Sequence, residues 1–142
     1  MDPNRNPSFV NVSGPPTRMP VGIETEPLTL ERSPSTLFIR FRGPTLGQED
    51  AADAARIAAA AIEVAADPLR RVVLDLSSLV GISSLGLGTC LDLRRRGDAR
   101  GAEVVLLGLN PHLEALFATM RLDRLFVIER SAETLARRMA AA

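Results

Sequence analysis

Residues 71–91 read RVVLDLSSLVGISSLGLGTCL, and the way this stretch divides decides the fold. Its first six residues, Arg71 to Leu76, are Val and Leu apart from the leading Arg and Asp75. Such a run predicts a central strand covered on both faces, since a half-wet strand would alternate polar and apolar residues. From Ser84 the pattern predicts a helix that reaches about Arg100 and stops near Gly101. A second apolar run, EVVLLGL, occupies residues 103–109. Strand, helix and strand of these lengths predict a right-handed parallel crossover.

Upstream, Leu28–Arg32 and Thr36–Arg42 predict a hairpin around a Ser33-Pro34-Ser35 turn, because Leu37, Ile39 and Phe41 alternate with Phe38, Arg40 and Arg42. Gly43-Pro44 stops it. A helix follows from about Glu49 to Ala66, with Ala54, Ile57, Ala61 and Val64 on its apolar face, until Asp67-Pro68 ends it. Downstream, Leu113, Leu116, Phe117 and Met120 recur at helical spacing after Pro111. Phe126–Ile128 predicts a short strand, and Ala132, Leu135, Ala136 and Met139 align on a last helix. The order ββαβαβαβα is that of an α/β domain.

With 142 residues and 46% hydrophobic content, the chain suits one compact domain with an aliphatic core. Residues 1–27 stand apart: Pro3, Pro7, Pro15, Pro16, Pro20 and Pro27 lie there among Asn, Ser and Gly, a composition expected to stay disordered. The 17 basic and 17 acidic residues cancel, and Arg94-Arg95-Arg96 is the one basic run, expected to be a solvated helix end. That balance argues against a nucleic-acid partner. Cys90 is the single cysteine, which excludes an internal disulfide and any multi-cysteine metal site and points to a reducing, cytoplasmic compartment. Its spacing with Leu87 and Leu91 makes it a small core residue. Apolar runs such as Val104–Leu109 are too short to insert in a membrane.

Sites in open α/β sheets lie where strands end and helices begin, which directs attention to GISSLGLG, residues 81–88. Two readings stand. Either Ser83 or Ser84 is an N-cap accepting a first-turn N–H, with Gly86 and Gly88 permitting close helix packing. Or a serine here is a phosphorylation switch, because a helix N-terminus stabilises phosphate. The phosphate-loop motif fails, since Leu87-Gly88 replaces its Lys-Ser/Thr. A serine-hydrolase elbow fails too, because neither serine has glycine two residues away on both sides. A Ser84, His112, Asp75 triad is the remaining catalytic reading, against which His112 reads as a solvated surface residue and Asp75 as an acceptor for the following loop.

Val72–Leu91, VVLDLSSLVGISSLGLGTCL, resembles without gaps the signature of STAS domains of the anti-sigma-factor antagonist type, roughly VVLDLSGVTFIDSSGLGALL. The Gly101 break, VVLLGL, Asn110-Pro111, MRLDRLFVI and the Ser131-Ala132-Glu133 helix start agree with that family, so the resemblance covers about residues 28–142. It implies a STAS fold: a mixed four- to five-stranded sheet with an N-terminal hairpin, parallel βαβ crossovers and about four helices. It also implies a non-enzymatic switch with no cofactor or metal. In such a switch the unphosphorylated protein binds an anti-sigma factor with serine kinase activity, phosphorylation breaks the complex, and a serine phosphatase resets it. By register the acceptor is Ser84, with Ser83 as the alternative. The partner-binding loop comprises Gly81, Ile82, Ser83, Ser84, Leu85 and Gly86. Ser83 stands where the family has Asp, and Leu85 where it has a small residue. A STAS scaffold without phosphorylation, in a signalling assembly or beside a transporter, is the alternative function; a small serine hydrolase is a third.

Overall fold

The computed structural model describes residues 23–25, 28–43, 45–46 and 51–141. The strands are β1 (Ile23–Thr25), β2 (Leu28–Arg32), β3 (Thr36–Phe41), β4 (Thr45–Leu46), β5 (Arg71–Asp75), β6 (Gly81–Ile82), β7 (Glu103–Leu107) and β8 (Val127–Glu129). The helices are α1 (Ala51–Val64), α2 (Ser84–Ala99), α3 (Pro111–Thr119) and α4 (Ala132–Ala141), with a 3-10 turn at Leu122–Arg124. Among the described residues the main sheet has six strands in the order β1-β2-β3-β5-β7-β8. The first two pairings are antiparallel and the remaining three parallel.

The α/β class, the hairpin and the crossovers are as the sequence predicts. Three short strands are additional. β1 lies within residues 1–27, read as a disordered tail, and pairs with β2; the rest of that stretch is outside the described residues. β4 and β6 form a separate parallel pair, Thr45 opposite Gly81 and Leu46 opposite Ile82. Strands of two or three residues carry no periodicity for a sequence pattern to register. The run EVVLLGL ends as strand at Leu107 because Gly108 turns with φ +79°.

Val72, Val73 and Leu74 of β5 alternate between two cores, which is why the middle of that strand is apolar without a break. Val72 and Leu74 join Ile39, Phe41, Ile62, Leu93 and Phe117 beneath α1, α2 and α3. Val73 points the other way and meets Val105, Leu107 and Leu135, with Met139 of α4 beside them. The Phe117 and Phe126 rings meet edge to face with centroids 6.2 Å apart.

On α1 the buried face is Ala54, Ala58, Ala59 and Ile62, whereas Ile57 and Ala61 are half-buried and Val64 is 79% exposed. The face is rotated from the predicted one because Ala at so many positions gives periodicity no contrast, and Ile62 sets the contact. Arg94 to Arg96 are not a merely solvated helix end. Arg94 Nε donates to the Leu125 carbonyl at 2.7 Å, Arg95 pairs with Asp92, and Arg96 joins Asp92 and Glu63 of α1. Arg100 then donates to the carbonyls of Ile62 at 2.5 Å and Ala65 at 2.8 Å, satisfying groups that the end of α1 leaves without helical partners.

Gly97 is a close-packing glycine of α2. A Cβ there would lie 2.7 Å from Val104 Cγ2, whereas one on Gly88 would meet nothing within 4 Å. Gly88 is exposed, so the expectation that it permits close packing is corrected. Gly97→Ala is expected to destabilise the fold by about 1–3 kcal/mol through overpacking. Gly88→Ala should instead stabilise it by about 0.5–1 kcal/mol, since Ala is the better helix former. Urea midpoints that shift in opposite directions check both.

Candidate functional site

Asp75 closes β5 and organises the loop that follows. Its Oδ1 accepts from the Ser77 N–H at 2.9 Å and from the Ser77 hydroxyl at 2.6 Å. Its Oδ2 accepts from Arg40 Nε at 3.1 Å, across the register that sets Arg40 opposite Asp75. A buried carboxylate thereby gains partners on both oxygens. The loop also lies against Gly108, where an added Cβ would come within 2.7 Å of Ser77 Cβ. Asn110 fastens the next turn: its Oδ1 accepts from the Leu113 N–H at 2.8 Å, capping α3, while its Nδ2 donates to the Leu79 carbonyl at 3.1 Å. The chain then pairs with β4 through Gly81 and Ile82 and enters α2.

That entry separates the two serines. Ser83 is the N-cap, extended at φ −93° and ψ 174°, and its Oγ accepts from the Gly86 N–H at 3.2 Å. Ser84 is the first helical residue and is exposed. Leu85, the next residue, is 62% exposed, and Val80, at the other end of β6, is 65% exposed. Gly81, Ile82 and Ser83 are half-buried, and Gly86 is buried, so Ser84 and Leu85 are the members of the candidate loop that stand furthest into solvent. No acidic residue occupies the first turn of α2, which leaves the positive end of its dipole without a carboxylate on the helix itself.

Cys90 is fully buried, as its helical spacing predicts, and burial pushes its thiol up to about 12. The hydroxyl of buried Thr89 donates to the Leu85 carbonyl at 3.1 Å. His112 is exposed in the first turn of α3, and among the described residues its side chain has no hydrogen bond to Ser84 or Asp75. With both Asp75 oxygens committed to Arg40 and Ser77, the catalytic triad reading lacks its orienting acid. No group of three or more His, Cys, Asp or Glu that could hold a metal occurs among the described residues. No helix there is long and apolar enough to cross a membrane.

Sequence reasoning missed the Asn110 clamp and exposed Val80. Asn-Pro does signal a helix start, but the second use of the Asn side chain depends on where the fold sets the Leu79 carbonyl. Ser83→Ala is expected to cost about 1 kcal/mol of stability by removing the cap, which thermal melting would register as a drop of about 3 °C in a domain of this size.

The STAS domain family profile matches residues 28–136. No curated protein matches the chain. Among solved structures, an anti-sigma-factor antagonist (STAS) domain protein from Planctomyces limnophilus is similar at 16% identity and TM-score 0.69, over 79% of this chain and 96% of that one. The Bacillus cell fate determinant SpoIIAA in its phosphorylated form is similar at 22% identity and TM-score 0.60, over 78% and 97%. A sulfate transporter family protein from Wolinella succinogenes is similar at 11% identity and TM-score 0.62, over 75% and 88%. At these identities the likeness is one of fold.

Proposed function

The chain belongs to the STAS domain family, and from that premise we propose that it is an anti-sigma-factor antagonist working by partner switching. The unphosphorylated protein binds an anti-sigma factor with serine kinase activity. The kinase transfers the terminal phosphoryl group of ATP to Ser84 Oγ, which loses its proton, and the complex parts. A serine phosphatase restores the hydroxyl by hydrolysis.

The observation that carries this reading is the division of labour at the start of α2. Ser83 uses its oxygen as the cap, while Ser84 stands exposed on the adjacent residue. Phosphate at Ser84 would add about −1.5 to −2 charges. The helix N-terminus tolerates that charge. An interface built on Val80 and Leu85 does not, because burying a charge without a partner is expensive. Phosphate on Ser83 would sacrifice the cap, so Ser84 is the preferred acceptor. Titration of the unphosphorylated chain with a purified anti-sigma factor of the serine-kinase type should show binding that ATP reverses. Absence of binding, or a complex indifferent to ATP, would contradict the reading.

A second reading, a STAS scaffold that is never phosphorylated, is favoured by the neutral Ser83 where the resemblance implies Asp, and by the fold shared with the Wolinella protein. There Ser84 is only the first residue of a helix.

A further inference from the structure

Helix α3 ends on a backbone conformation that its residue does not favour. Met120 is the C-cap, and the residue after it, Arg121, takes the left-handed region at φ 60° and ψ 24°. Glycine is the usual occupant of that position, because a Cβ crowds the following carbonyl there. Arg121 is exposed, and its side chain makes no hydrogen bond or ion pair among the described residues, so no contact within the fold offsets the strain. Strain held without an internal contact points to a contact outside the chain. Three residues on, Arg124 is also exposed and makes no ion pair among the described residues, with Asp123 as the one acid of the turn. Met120, 50% exposed, and Leu125, 39% exposed, bracket these cations with apolar surface.

Arg94 fastens this turn to α2. Its Nε donates to the Leu125 carbonyl, and it makes no ion pair among the described residues, so its charge adds to those of Arg121 and Arg124. The next residue, Arg95, is exposed and belongs to the stripe Ser84, Gly88, Leu91 and Arg95, which recurs at i, i+4, i+7 and i+11 along one face of α2. At the helical rise, Ser84 and Arg95 lie about 16 Å apart along the axis. An interface of about 800 Å² per partner spans that distance. Resting on the partner-switching reading, we propose that the Met120–Leu125 turn and the Arg94–Arg95 end of this face dock an acidic segment of the proposed anti-sigma-factor partner. Its carboxylates pair with Arg121, Arg124 and Arg94, and its apolar side chains cover Met120 and Leu125. A nucleic acid is the poorer fit, because the chain as a whole carries no net charge.

The experiment titrates a purified anti-sigma factor of the serine-kinase type with the full chain and with Arg121→Gly, Arg124→Gln, their combination, and Arg137→Gln. Arg137 is exposed on α4, whose Leu135 packs in the core on the other face of the sheet, and serves as the control for charge alone. Arg121→Gly and Arg124→Gln should each weaken binding about fivefold and the combination about twenty-fivefold, the scale of partly exposed ion pairs. Raising salt from about 50 to about 300 mM should weaken wild-type binding more than that of the combined variant. Arg121→Gly should also raise the urea midpoint, since glycine relieves the left-handed strain, which separates lost binding from lost folding. Wild-type affinity and unchanged salt dependence in the combined variant would overturn the inference and leave the partner-switching reading standing. An equal loss in Arg137→Gln would overturn it as well, by making net charge responsible instead of this turn. No binding by the wild type would overturn the reading and the inference together. A random-sequence DNA duplex bound by the wild type and not by the combined variant would assign the turn to nucleic acid and overturn the protein partner.

Discussion

Ser84→Asp is expected to weaken binding of the proposed anti-sigma-factor partner by about a hundredfold or more, equivalent to about 2.8 kcal/mol. The residue is exposed on the first turn of α2, next to exposed Leu85. A partner that covers Leu85 must strip water from the Ser84 side chain next to it. A hydroxyl survives this with one new hydrogen bond, whereas a carboxylate loses its hydration without a counter-charge. The same substitution should raise fold stability by about 0.3–1 kcal/mol, because an acid in the first turn complements the helix dipole. Opposite signs for binding and stability distinguish this outcome from simple unfolding. Isothermal titration and thermal melting on one preparation measure both. Wild-type affinity in Ser84→Asp would instead favour the scaffold reading.

The largest stability effect is expected from Gly108→Ala. Gly108 has φ +79°, a conformation costing an L side chain about 1–2 kcal/mol. Its Cβ would also lie 2.7 Å from Ser77 Cβ and 3.2 Å from Ser77 Cα, and relieving that overlap adds about 1–3 kcal/mol. The sum of about 2–5 kcal/mol is a large part of the 5–15 kcal/mol that holds a typical domain together. Because part of the cost is the Ser77 contact, adding Ser77→Gly should recover some of it, and a double-mutant cycle by urea unfolding would show the coupling. Additive effects would mean that the turn conformation alone is responsible.

The parts of the fold legible in the sequence were those with contrast. β5 and β7 carry unbroken apolar runs at Val72–Leu74 and Val104–Leu107, α2 has a serine cap and glycine stop, and β3 alternates cleanly. α1 was legible as a helix but not in its rotation, because Ala cannot tell one face from another. β1, β4 and β6 were too short to leave a pattern. At the candidate site the sequence narrowed attention to Ser83 and Ser84 but left open which was the cap. Backbone geometry decides that, since the residue with extended ψ is the one whose oxygen can reach the Gly86 N–H. The role of Asp75 as acceptor for its own loop was readable from its place at a strand end. Its second partner, Arg40, was not, because it depends on the register between β3 and β5. Likewise the triple arginine looked like a solvated end until Leu125 and Glu63 came within reach from elsewhere in the chain.

The central claim is that the exposed hydroxyl of Ser84, and not the capping hydroxyl of Ser83, receives phosphate. Incubating the full chain with ATP and a serine kinase of the anti-sigma type, followed by intact-mass measurement and peptide mapping, tests it directly. The expected result is one phosphoryl group per chain, located on Ser84 and absent from Ser84→Ala. A chain that gains no phosphate, or one modified at Ser83 in both wild type and Ser84→Ala, would contradict the claim.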